Sequence, residues 1–257
     1  MDDLVALTVR ELGGVATTRQ LLRAGPRRTL DRAVAQGAVV RLRQGVYCLP
    51  DVGVDLEPAT RLSGVTSHGS AALWHGWSLK LPPELPVVTV PRHRKVPSRL
   101  RHGIELRYAD LASADVEGQV TSPVRTDELR SAAAASPRTG RARATRVVEQ
   151  ADARAANAFE SVVRAIGLDV PGLTLEPQVH IATSITPDLV DRRLRIVIEC
   201  DSWTCHGEKS AFRRDLERYN EASLDGWLVL RINRDHAWDR PDYVRNLMRR
   251  AVDARAR

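Results

Sequence analysis

Two short apolar runs that end in carboxylates constrain this chain more than any other feature. They lie in Pro187–Gly207, PDLVDRRLRIVIECDSWTCHG. Strands in a core normally keep charge at their ends, because a buried carboxylate without partners is expensive. Here Asp188, Glu199 and Asp201 sit within, or at the edge of, segments rich in Val, Ile and Leu, and His206 follows the second run. Such a cluster destabilises a fold unless something binds it.

A strand has a two-residue period, so Glu199 and Asp201 are expected on one face and Ile198 and Cys200 on the other. If the preceding strand pairs beside it, Asp188 converges on the carboxylate face. Carboxylates gathered near one point raise each other's pKa. A hard cation such as Mg²⁺ or Mn²⁺ removes that conflict, and at such a site it suits hydrolysis of a phosphodiester. The alternative is structural: Asp188 as a turn residue after Pro187, and Asp201 as a strand end. Four further residues favour the chemical reading. Glu160 is expected mid-way along the preceding amphipathic helix beside Phe159 and Val162, His206 lies just past the strand, and Arg214 and Asp215 lie on the following helix.

The rest of the chain is organised around different signals. Residues 1–50 read as three short helices and a basic hairpin. Val5, Val9 and Leu12 recur at helical spacing, Thr17 and Gln20 form a capping-box pattern, and Pro26 opens a third helix with Leu30, Ala33 and Val34 inward. Then AVVRLRQGVYCLP alternates, with Val40 and Leu42 on one face, Arg41 and Arg43 on the other, and a turn at Gln44-Gly45. This order predicts a winged helix-turn-helix. Its third helix would offer Arg27, Arg28, Thr29 and Arg32 to a DNA groove, and Arg41 and Arg43 would meet phosphates from the wing.

In residues 51–140 a small α+β unit is expected. SHGSAALWHGW reads as a short helix, and two strands are joined by the basic segment Arg92–His102, which either grips phosphates or is simply solvated. SAAAASPRTGRARATR reads as a linker. From Ala155 the pattern is α/β: a helix to Ile166, strands near Leu175–Ala182, Thr186–Val190 and Leu194–Asp201, the helix Ser210–Leu224, the strand WLVLRIN and a terminal helix from Asp242.

The 257 residues carry a net charge of +7, and all of the excess lies before residue 151. That asymmetry points to an acidic partner, most simply nucleic acid. Only three of the 39 basic residues are Lys, so part of the Arg richness follows from overall residue usage. Cys48, Cys200 and Cys205 are too few and too irregular for a disulfide framework. The acidic start MDDLVALTVR lacks the layout of a signal peptide, and no apolar run reaches membrane-spanning length. A cytoplasmic protein with no membrane contact is expected.

Glu160 on a helix, Asp188 after a proline, then Glu199-Cys200-Asp201 on the next strand resembles the PD-(D/E)XK nuclease core. More narrowly, the blocks FESVVR, PDLVD, VIECDSWTCHG, RRDLERYN and GWLVLRIN, over roughly Ala155–Met248, resemble very-short-patch-repair-like endonuclease domains. The resemblance implies that Asp188 is the principal metal ligand, with the Cys200 backbone carbonyl second and Glu199 beside it. It implies that His206 moves the proton while Glu160 and Asp215 assist metal or water placement. Asp201 stands where the lysine of the motif is expected, so the base role passes to His206. The repair enzymes also resemble zinc proteins. Here only Cys200, Cys205 and His206 lie nearby, and structural zinc is not expected.

Residues 1–150 resemble the abortive-infection-type (AbiEi-like) antitoxins of bacterial toxin–antitoxin systems, most clearly where the hairpin ends in RLRQGVYCLP. That family's N-terminal domain binds operator DNA, which implies DNA and a toxin or other defence-system protein as partners. Together these readings predict an α/β and α+β multidomain chain. Its parts would be a winged helix at 1–50, a middle α+β domain at 51–140 and a restriction-endonuclease-like α/β core at 151–257. The expected activity is Mg²⁺- or Mn²⁺-dependent hydrolysis of DNA. The alternative is a transcriptional regulator or antitoxin that keeps the nuclease fold as a scaffold.

Overall fold

The computed structural model describes residues 2–12, 14–51, 56–181, 185–201 and 209–256, without the side chains of 2, 3, 15, 43 and 209–215. Within them the chain is mixed α/β, with three sheets and eleven α-helices.

The first part contains α1 (Asp2–Glu11), β1 (Val15–Thr17), α2 (Thr18–Ala24), α3 (Arg27–Ala35), β2 (Val40–Arg43) and β3 (Val46–Cys48). The strands form an antiparallel sheet in the order β1-β3-β2. Thr17 and Gln20 make the expected capping box at the start of α2. Val5, Val9, Leu21, Leu30, Ala33 and Tyr47 close a core between helices and sheet. Gly45 turns the hairpin at φ +78°, a conformation that residues with a Cβ rarely adopt. The hairpin departs from simple alternation. Its register shifts between Arg41 and Arg43, and Val40 is exposed where Leu42 is half-buried against Val46 and Cys48; Val39, just before the strand, is buried. A bulge inserts one residue and turns the next side chain to the other face. Thr29, expected to face DNA, is buried on α3 beside Leu30.

The second part contains α4 (Glu57–Leu62), β4 (Val65–Thr66), α5 (His68–Trp74), β5 (Val87–Val90), β6 (Glu105–Tyr108), β7 (Val116–Glu117) and β8 (Val120–Thr121). They form a five-stranded sheet in the order β6-β5-β4-β8-β7. β5 and β6 pair in parallel, so the basic segment between them is a crossover rather than a hairpin loop. Leu73 of α5 packs with Val46 and Cys48 of β3, joining this sheet to the first.

The expected linker is instead a helical hairpin, α6 (Thr126–Ala135) and α7 (Arg138–Gln150). Ala and Arg are both strong helix formers, and Pro137 caps α7 where its missing N–H costs nothing.

The last part runs α8 (Ala158–Gly167), β9 (Glu176–Pro177), β10 (Leu189–Asp191), β11 (Ile196–Asp201), α9 (Lys209–Leu224), β12 (Leu228–Asn233), α10 (Arg234–Asp239) and α11 (Pro241–Arg255). The sheet order is β12-β11-β10-β9. β9, β10 and β11 are antiparallel in turn, and β12 returns parallel to β11 after α9. Both faces are covered. Leu189, Ile196, Ile198 and Ile232 meet Phe159 and Val163 of α8 and Met248 of α11, while Val190 and Val197 meet Ala222 of α9. The strand expected over Leu175–Ala182 is reduced to Glu176–Pro177, because Gln178 turns to φ +54° and ends the extended run; residue 182 lies outside the described residues.

Candidate functional site

Glu160 does not sit mid-helix. It occupies the first turn of α8, where Asn157 is the N-cap and accepts from the Glu160 amide at 3.0 Å. In return the Glu160 carboxylate accepts from the Ala156 amide (2.7 Å) and from Asn157 Nδ2 (2.9 Å). These bonds make Glu160 a helix cap, which alone would explain a carboxylate at this position. A further contact goes beyond capping. Gln178 Nε2 donates to Glu160 Oε2 at 3.1 Å and to Asp188 Oδ1 at 3.4 Å, so one amide holds two carboxylates together.

Asp188 is half-buried immediately before β10. Its other oxygen accepts from the Cys200 amide at 2.8 Å, which ties it to the end of β11. Burial holds the Asp188 carboxyl above its ordinary range, against the opposing pull of the Cys200 amide and Arg218. Burial and the charge of Asp188 push Glu160 up to about 7. Crowded carboxylates of this kind favour either a shared proton or a cation.

Glu199 is buried and lies 3.7 Å from Arg218 Nη2 of α9. Asp201 pairs with Arg231 on the adjacent strand β12. Both guanidinium groups stack over the Tyr219 ring, at 5.0 and 4.8 Å. The charges of Glu199 and Asp201 are thus offset largely by arginines. The Cys200 thiol packs against the main core, and burial raises its pKa.

The expected site is therefore brought together in part. Asp188 and Glu160 converge through Gln178, whereas Glu199 and Asp201 join an arginine–tyrosine cluster against α9. His206 lies outside the described residues, as do the side chains of Arg214 and Asp215 on α9. Sequence pattern alone does not single out Gln178, Arg218, Arg231 or Tyr219. The one available signal for Gln178 is a polar residue interrupting an apolar strand, EPQVH.

Among the described residues no group of three or more His, Cys, Asp and Glu side chains is arranged to hold a metal ion. The donors that do converge, two carboxylates, are hard oxygens. Mg²⁺ keeps most of its waters and takes one or two protein carboxylates, so the pair matches that ion in donor chemistry, with the Gln178 amide standing between the two groups.

At the other end of the chain, Arg27, Arg28 and Arg32 are exposed on α3, and Arg41 is exposed on β2. Arg27 Nε lies 3.0 Å from Asp31 one turn along. Arg43 is on β2, with its side chain outside the described residues. Among the described residues no helix is long and apolar enough to cross a membrane.

A family described as transcriptional regulator, AbiEi antitoxin, matches residues 3–50. No curated protein and no solved structure matches the chain. The N-terminal part of this chain is thus similar to the AbiEi antitoxin regulators.

Proposed function

We propose that the chain binds DNA through an N-terminal winged helix and that its C-terminal unit is a divalent-metal-dependent endonuclease. The N-terminal half of this reading is supported by the family match and by the exposed arginines on α3 and β2. The observation that carries the nuclease is the Glu160–Gln178–Asp188 arrangement at one end of a mixed sheet. The order helix, three antiparallel strands, helix, parallel strand is compatible with the nuclease core that the sequence resembles.

In this reading Asp188 and Glu160 would hold Mg²⁺ or Mn²⁺, with the Cys200 carbonyl and Glu199 as further candidates. When bound, such an ion stabilises charge developing on a phosphodiester and acidifies water. Gln178 fixes the separation of the two carboxylates, and the Cys200 amide fixes the rotamer of Asp188. His206, Asp201 and Asp215 remain the candidates for proton transfer and for orienting water. An operator-binding regulator or antitoxin with a silent C-terminal scaffold is the second reading. It is favoured by the pairing of Glu199 and Asp201 with Arg218 and Arg231, which offsets their charge without a metal. A toxin or other defence-system protein belongs to either reading as a partner.

Metal binding tests the site. Mn²⁺ should raise the melting temperature of the wild type but not of Asp188→Asn, in proportion to the logarithm of metal concentration over Kd. Equal stabilisation of both proteins would place the metal elsewhere.

A further inference from the structure

The segment between β5 and β6 concentrates charge more than any other exposed stretch. From Pro91 to Ile104 it holds five Arg and Lys and no Asp or Glu. All five are exposed. Exposed arginines elsewhere often have a nearby acid, as in Arg61–Glu57 or Arg125–Asp127. Among the described residues Arg92, Lys95 and Arg99 make no side-chain ion pair. Such a cluster makes a local positive potential that attracts an anionic partner.

Its backbone is nevertheless fixed. Val96, in the middle of the segment, is 4% exposed and packs with Val88, Val90 and Ile104. Arg101 Nε donates to the Val96 carbonyl at 2.9 Å, Arg94 Nη1 to the Ser63 carbonyl at 3.3 Å, and the Arg92 amide to Asp110 Oδ1 at 3.0 Å. The apolar residues point inward, which leaves Arg92, Lys95 and Arg99 on the outside of a pinned loop.

We infer that this crossover is a second DNA-binding surface, gripping phosphates without reading sequence, separate from the N-terminal helices. A protein partner is disfavoured because the segment offers no exposed aromatic or aliphatic anchor of the kind that dominates protein interfaces. Phosphate binding needs none, since counterion release supplies the free energy. A pre-ordered loop also loses little conformational entropy on binding.

The test uses the full chain and a mixed-sequence DNA duplex, reading the slope of log affinity against log salt. Removing one phosphate-binding side chain should flatten that slope by about 0.9, so R92A/K95A/R99A should lower it by about 2.7. The same decrease should appear in an R27A/R28A/R41A/R43A background, because the two surfaces are separate. The charge-keeping variant R92K/R99K should retain the wild-type slope. Melting temperatures should not move, since the three side chains are exposed. An unchanged slope in the triple variant overturns the inference. So does an equal decrease in R92K/R99K, or a decrease confined to the background with intact N-terminal arginines.

Discussion

Glu160 shows how one carboxylate can serve two ends. Its bonds to Ala156 and Asn157 belong to helix capping, and its bond through Gln178 belongs to a pair with Asp188. Burial first, and the charge of Asp188 second, are what the pH dependence should reveal. Folding raises the Glu160 pKa from its ordinary 4.5 to about 7, so the native state binds more protons than the unfolded chain between those values. Stability is then fully present below about 4.5 and falls as pH rises toward 7. The whole loss is on the order of 3–4 kcal/mol, at about 1.4 kcal/mol per pKa unit. Denaturant titrations across this range should show the fall in wild type and a flatter profile in Glu160→Gln. An identical profile in both proteins would contradict a buried, ionisable Glu160 beside Asp188. Asp188 and Glu160 are visible in the sequence as charges in apolar surroundings. Gln178 is not, because its role depends on a left-handed turn that only the packed sheet imposes.

At the scale of elements, periodicity locates α1, α2, α3, α8 and α9 to within a few residues, since each has a buried stripe or a cap written in its sequence. The hairpin is legible, but its bulge is not. Val39 and Val40 are chemically identical, and only the packed hairpin shows which of them turns inward. The α6–α7 hairpin escapes notice for a different reason. α7 has no buried residue, so no apolar stripe marks it, and its helix rests on propensity and on packing against α6. Gly140 lies inside α7 with open space where a Cβ would stand. Gly140→Ala should therefore stabilise the protein by about 0.5–1 kcal/mol, read as an upward shift in the denaturant midpoint. No change, or a decrease, would mean that this segment is not helical in solution.

For the whole molecule, the position of the carboxylate pair matters as much as its chemistry. The N-terminal end of α8 is where the other parts of the chain meet the C-terminal sheet. Gln20 Nε2 of α2 donates to the Ala156 carbonyl at 3.4 Å, and the Ala158 amide donates to Ser78 Oγ at 2.7 Å. Nearby, the Trp238 indole donates to the Lys80 carbonyl at 3.3 Å. The charge excess is confined to residues before 151, as the proposed division between parts that hold DNA and a part that acts on it requires.

Cleavage of supercoiled plasmid, followed with Mg²⁺, with Mn²⁺ and with chelator, tests that division most directly. The wild type should convert plasmid to nicked or linear form only with metal. Asp188→Ala should lose about 10²-fold or more of the rate while binding DNA with wild-type affinity and salt dependence. A wild type that cuts no plain, mismatched or modified DNA with either metal would contradict the nuclease and leave the regulator. An Asp188→Ala protein that cuts as fast as wild type would contradict the site.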